Sequence, residues 1–143
     1  KLNNFQLLDF VALSAPIGIF LGRIANFINS ELYGRPSDFF LSVKFLNVDN
    51  LSRHPSQLYE AFFEGLILFF LLNLWYKKYS NFFGVTSSLF LIFYSFFRFF
   101  IEFTREADTQ LGYFYFNLTM GQIISIVLFV AGLVLFYLKN ETK

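Results

Sequence analysis

The sequence predicts an all-α polytopic membrane protein of about four transmembrane helices, with a short extracytoplasmic excursion between the first and second. Three observations carry this reading. Of 143 residues, 56% are hydrophobic and only 15% charged, against about 25% charge in an ordinary soluble domain. Mean hydropathy is +0.54, and Phe alone fills 24 positions. The apolar residues also fall in runs of roughly 20, the length a helix needs to cross about 30 Å of hydrocarbon. The same composition excludes disorder and a coiled coil. A net charge of +1 gives no basic field to recruit nucleic acid. With no Cys and a single His, His54, neither a disulfide nor a thiolate or His-cluster metal site is expected, and no cofactor is implied.

The first span covers about 10–29 and contains Arg23. A polar segment, about 30–56, follows with Pro36, Pro55, Asp38, Asp49, Asn47 and Asn50. The second span, 57–76, carries Glu60 and Glu64 near its start, and a short turn at 77–81 leads to the third, 82–103, with Arg98 and Glu102 near its end. A polar loop, 104–118, precedes an uncharged fourth span, 119–138. The whole chain, 1–143, therefore reads as a single membrane domain. It opens on Lys1 with no cleavable leader before the first apolar run, so a piece of a longer protein is expected.

Orientation follows from the flanking Lys and Arg. One side receives Lys1, Lys77, Lys78, Lys139 and Lys143 in short segments; the other receives Arg35, Lys44, Arg53 and Arg105 in longer loops. Charge density makes the first side cytoplasmic. Arg23, Glu60, Glu64, Arg98 and Glu102, the five charged residues within the spans, then all fall in the outer half. An ionisable group inside a membrane costs at least ~2.5 kcal/mol on insertion scales, so it normally faces the bundle interior and has a partner. The pattern predicts a charged, protein-lined pocket open to the extracytoplasmic side.

Helical spacing sorts the pocket residues into faces. Arg98 and Glu102 are four apart, with Tyr94 one turn below and Arg105 about one turn above. Their structural reading is an ion pair that keeps two helices in register; their functional reading is an anion site, since guanidinium offers planar donors suited to phosphate. Arg23 and Asn26 share a stripe, and Asn26 alone reads as a helix–helix hydrogen bond. Glu60 and Glu64, with Gln57 one turn earlier, read as partners for the Arg residues rather than as acid–base catalysts. His54 reads as a residue that fixes its turn. Gly22 and Gly34 bracket the Arg23–Asn26 stripe, as expected for close helix approach or positive φ. The fourth span offers only a polar cap, Asn117, Thr119, Gly121 and Gln122, plus Ser125, and it reads as packing. Trp75, Tyr76 and Tyr79 beside Lys77 and Lys78 form an interfacial belt.

The run Gly22-Arg23-Ile24-Ala25-Asn26-Phe27-Ile28-Asn29-Ser30-Glu31-Leu32-Tyr33-Gly34-Arg35 closely resembles the signature of the bacterial prolipoprotein diacylglyceryl transferases. Arg53-His54-Pro55-Ser56-Gln57-Leu58-Tyr59-Glu60 resembles a second block of that family. Phe97-Arg98-Phe99-Phe100-Ile101-Glu102-Phe103-Thr104-Arg105-Glu106 and Thr119-Met120-Gly121-Gln122 resemble a third and a fourth.

The resemblance implies the C-terminal portion of a seven-span inner-membrane enzyme whose active site faces the extracytoplasmic side. Such an enzyme moves diacylglyceryl from phosphatidylglycerol to the lipobox Cys beside a prolipoprotein signal peptide. It implies Arg23 and Arg98 as a phosphate clamp, with Asn26 beside them in the catalytic set. Glu31 and Gly34 would shape the substrate site, and Tyr94, Glu102 and Arg105 would line it. The family's N-terminal half carries a His-Gly-Gly-type motif that this chain lacks, so activity from the chain alone is not expected. A transporter or channel subunit is disfavoured, because the inner halves of the spans hold no charge beyond boundary Lys. A non-catalytic scaffold would leave the outer charges to packing.

Overall fold

The computed structural model describes residues 3–79, 82–106, 114 and 118–141. Four helical segments among them are long and apolar enough to cross a membrane: Asn4–Ile28, Ser56–Lys78, Val85–Thr104 and Met120–Lys139. Helix α1 (Asn4–Ile28) begins six residues before the expected span, because Asn3 and Gln6 form a capping box that satisfies two of its free N–H groups. The second segment is α2 (Ser56–Glu60), a π-helical stretch (Ala61–Ile67) and α3 (Leu68–Tyr79). Helix α4 (Val85–Ile101) ends in a 3-10 turn (Glu102–Thr104), and α5 (Met120–Glu141) follows.

Helix α4 packs on α1, α3 and α5. The apolar core sits where α3 meets the start of α4. Leu68, Leu72, Val85 and Leu89 are buried there, with Leu13, Trp75, Phe82, Phe93 and Phe97 packed around them. Glycine sets two helix crossings. A Cβ on Gly65 would lie 2.7 Å from Phe20 Cβ, and one on Gly132 would lie 3.0 Å from the Ile92 N atom. Gly22 does not play this part: a Cβ there meets nothing within 4 Å, so the expectation of close approach fails. Many remaining large side chains, Leu21, Phe70, Phe96 and Val127 among them, are exposed, as suits a surface solvated by lipid.

The polar segment after α1 is not wholly irregular. Strands β1 (Val43–Lys44) and β2 (Ser52–Arg53) pair antiparallel, and isolated bridges join Gly34 to Arg105 and Pro36 to Arg53. Three stretches of chain, after α1, before α2 and after α4, are thus tied together over one end of the bundle. Phe45 anchors this cap, buried with its ring centroid 5.7 Å from that of Phe27.

The opposite end holds a buried charge the sequence reading placed outside the first span. Asp9 is 5% exposed. Its carboxylate accepts hydrogen bonds from Gly84 N at 2.7 Å and Ser87 N at 2.8 Å. Gly84, at φ 92°, precedes α4 and offers no side-chain cap, so Asp9 caps α4 from another helix, and an anion there also suits the helix dipole. The half of the bundle expected to be free of charge therefore holds a buried carboxylate. Lys78 Nζ lies 5.4 Å from the Trp75 ring at this end, in keeping with the expected belt. Ser80, Asn81, Asn117, Lys1, Lys143 and most of 104–118 lie outside the described residues.

Candidate active site

The site is built around one carboxylate. Glu60 ends α2, is fully buried, and gathers three guanidiniums, from α1, from α4 and from the chain just after the 3-10 turn. Arg98 Nη1 donates to its Oε1, Arg105 Nη1 approaches the same oxygen at 3.5 Å, and Arg23 Nε lies 3.1 Å from Oε2. Glu64, also fully buried, stands 3.8 Å from Arg98 Nη1 and 4.0 Å from Arg23 Nη2. Arg98 Nη2 pairs with Glu102 Oε2 at 2.9 Å. Three Arg and three Glu thus form one cluster whose formal charges cancel, the condition under which buried ions are tolerated.

Cancellation of charge is not saturation of hydrogen bonds. Both Glu64 oxygens and Gln57 Oε1 are buried without a hydrogen-bond partner among the described residues, and the guanidinium nitrogens beside Glu60 Oε2 and Glu102 Oε2 are not aligned as hydrogen-bond donors. The π-helical stretch begins directly after Glu60 and carries Glu64 and Gly65. Such widened turns within α-helices are frequent at functional sites.

The fourth span does more than pack. Thr119 Oγ1 donates to Glu102 Oε1 at 3.0 Å. The same hydroxyl accepts from Gln122 N at 3.3 Å, while Gln122 Oε1 accepts from Thr119 N at 3.0 Å. This is a capping box, and the Thr-x-x-Gln spacing before an apolar run was the signal for it. Gly121 lets Glu102 approach: a Cβ there would sit 2.6 Å from Glu102 Oε1.

Four of the residues expected at the site, Arg23, Arg98, Glu102 and Arg105, meet in this cluster, with Glu60 and Glu64 as the expected Arg partners. The other four lie around it. Asn26 is half-buried, its carbonyl accepting from Glu31 N at 2.9 Å. Glu31 exposes its side chain in the turn after α1. Tyr94 stacks on Phe90 with centroids 5.6 Å apart and packs against the apolar core. Gly34 lies in the cap, where a Cβ would stand 2.7 Å from Thr104 O and closer still to His54 O. Its small size, not a positive φ, is what the backbone there requires.

Arg53 was read only as a flanking charge, yet it is 8% exposed and ties the cap together. Its Nη1 donates to Gly34 O at 3.1 Å and to Glu106 Oε2 at 2.8 Å, and its Nη2 to Asp49 Oδ2 at 2.7 Å. The Arg53 hydrogen bond holds the Asp49 carboxyl below its ordinary value, and Asp49 in turn raises Arg53. His54 fixes its turn, as expected: its N–H donates to Arg35 O at 3.0 Å, and its Nδ1 lies 3.4 Å from Tyr59 Oη.

Comparison with known proteins places this arrangement. The pattern of the prolipoprotein diacylglyceryl transferase family matches residues 1–138. The chain is 52% identical over 136 residues to the phosphatidylglycerol–prolipoprotein diacylglyceryl transferase of Rickettsia akari (strain Hartford), covering 92% of the chain and 52% of that protein. It is 50% identical over 145 residues to the protein so named in Rickettsia bellii (strain OSU 85-389), with coverages of 100% and 55%. For the one in Ehrlichia ruminantium (strain Welgevonden) the identity is 47% over 144 residues, with coverages of 98% and 56%. The chain spans about half the length of the curated relatives it matches. With the family's pattern running through all four apolar helices and every residue of the Arg–Glu cluster, the chain belongs to the prolipoprotein diacylglyceryl transferase family.

Proposed function

We propose that the protein containing this chain transfers diacylglyceryl from phosphatidylglycerol to the lipobox Cys of prolipoproteins, in the bacterial inner membrane, from the extracytoplasmic side. The observation that carries the reading is the gathering of Arg23, Arg98 and Arg105 around Glu60. Three guanidiniums at one depth of a membrane protein match the phosphate of a phospholipid at headgroup level. In the reaction the acceptor thiolate attacks the terminal glycerol carbon of the diacylglyceryl group. A C–S bond forms, the C–O bond to phosphate breaks, and glycerol phosphate leaves with the bonding pair. Thiolate is the reactive form.

Arg23 and Arg98 would stabilise charge growing on the leaving phosphate, with Asn26 beside them and Arg105 lining the site. Glu60 would keep the guanidiniums oriented before substrate arrives, so little reorganisation is needed. Glu102 would hold Arg98, Tyr94 would bound the site on its inner side, and Glu31 and Gly34 would shape its outer rim.

The test uses the full-length protein in membranes, with labelled phosphatidylglycerol and a lipobox peptide. Arg23→Ala and Arg98→Ala should each lower transfer at least ~100-fold while the protein still inserts. Retained transfer in both variants would sink the clamp. A second reading, a packing role, draws on the pairing of every guanidinium in the cluster with a carboxylate; it expects both variants to lose protein level rather than turnover per molecule.

A further inference from the structure

The turn after α1 holds two non-glycine residues in the left-handed region, Ser30 at φ 58° and Leu32 at φ 53°. They flank Glu31. Side chains rarely adopt this region because Cβ crowds the following carbonyl. Where such residues persist, their surroundings over-determine them, and they gather at functional sites.

Two of the hydrogen bonds around this turn are local. Ser30 N donates to Phe27 O at 3.1 Å and Glu31 N to Asn26 O at 2.9 Å. Two others come from the start of the second span, where Gln57 Nε2 donates to Glu31 O at 2.6 Å and Ser56 Oγ to Leu32 O at 3.1 Å. Both donor side chains are completely buried. A carbonyl can accept only from the amide nitrogen, so the orientation of Gln57 is fixed by chemistry. Gln57 also precedes Glu60 by three residues on the same helix, which places the two donors one turn from the carboxylate that gathers the guanidiniums.

We infer that Ser56 and Gln57 are positioning residues: they clamp the Ser30–Leu32 turn in its left-handed form and so fix the direction of the Glu31 carboxylate relative to the Arg–Glu cluster. The clamp acts on backbone carbonyls, so its effect reaches substrate only through Glu31 and its neighbours. Its consequence for turnover rests on the reaction proposed above; its consequence for the turn does not.

The experiment therefore has two readouts on the full-length protein. The chain has no Cys, so Glu31→Cys, with any cysteine elsewhere in the protein replaced, accepts a single nitroxide. Its spectrum should report restricted motion in the parent and free motion once Gln57→Leu is added. In the unlabelled protein, Gln57→Leu should lower kcat about tenfold, the effect of one lost hydrogen bond at the upper end of its usual range, with KM for phosphatidylglycerol within about twofold. Adding Leu32→Gly should restore at least about threefold, since glycine reaches positive φ without Cβ crowding. Unchanged label motion, or no recovery from the second-site glycine, would overturn the clamp. Should Gln57→Leu not accumulate, Ser56→Ala gives the same two readings at smaller amplitude. A parent protein that inserts but transfers nothing would defeat the proposed reaction, and the label would still decide the clamp.

Discussion

The two ends of the bundle solve the same problem, burying charge among apolar helices, in different ways. At one end a carboxylate, Asp9, is satisfied by two backbone N–H groups that need a cap in any case. The neighbouring core of Leu68, Leu72, Val85 and Leu89 is ordinary apolar packing. At the other end three Arg and three Glu of cancelling formal charge meet, yet buried carboxylate oxygens there, both of Glu64 among them, lack a hydrogen-bond partner among the described residues. Each Asp9 oxygen has a backbone donor. The end with the Arg–Glu cluster keeps acceptors in reserve, which a structure built only for stability would not do.

The contrast is broken most sharply at Glu60. Glu60→Gln leaves three guanidiniums against two carboxylates, and removing one partner of a buried ion network costs about 3–5 kcal/mol. Thermal unfolding of the detergent-solubilised protein should show that loss, with transfer falling further than the folded fraction. Asp9→Asn comes next. An amide oxygen still accepts one hydrogen bond but loses the charge that suits the helix end, so about 1 kcal/mol of stability should go, with turnover per folded molecule unchanged. A fall in turnover there would mean that the two ends are coupled. Least effect is expected from Leu72→Met in the apolar core, below ~1.5 kcal/mol because volume is conserved. A larger loss would show the apolar packing to be as exacting as the Arg–Glu cluster.

Much of this was legible in the chain itself. The four apolar runs gave the spans, since only helices of that length satisfy their backbone within a membrane. The common depth of Arg23, Glu60, Glu64, Arg98 and Glu102 gave a charged cluster, and the Arg–Glu partnerships followed from the cost of leaving any of them unpaired. Other features escaped for definite reasons. The π-helical stretch leaves no trace in hydropathy, since its residues are as apolar as the helix around them. Asp9 fell just before the apolar run, and its partner is a backbone turn 75 positions away. Arg53 looked like one flanking charge among several because its carboxylate partners sit on two separate segments, at Asp49 and Glu106. Gly22 and Gly34 are alike in sequence, yet only Gly34 is crowded, by backbone from residues 54 and 104.

The sequence by itself determined the membrane class, the number of spans and which residue types gather at one depth. Those depend on composition and on helical period, both local properties. Only the tertiary structure decided that Glu60 rather than Glu64 takes the central place, that Thr119 supports Glu102, and that Ser56 and Gln57 hold a strained turn. Each of these depends on which helix faces which and on distances of a few tenths of an ångström. Hydrogen bonds and close packing discriminate at that scale, and a one-dimensional pattern does not.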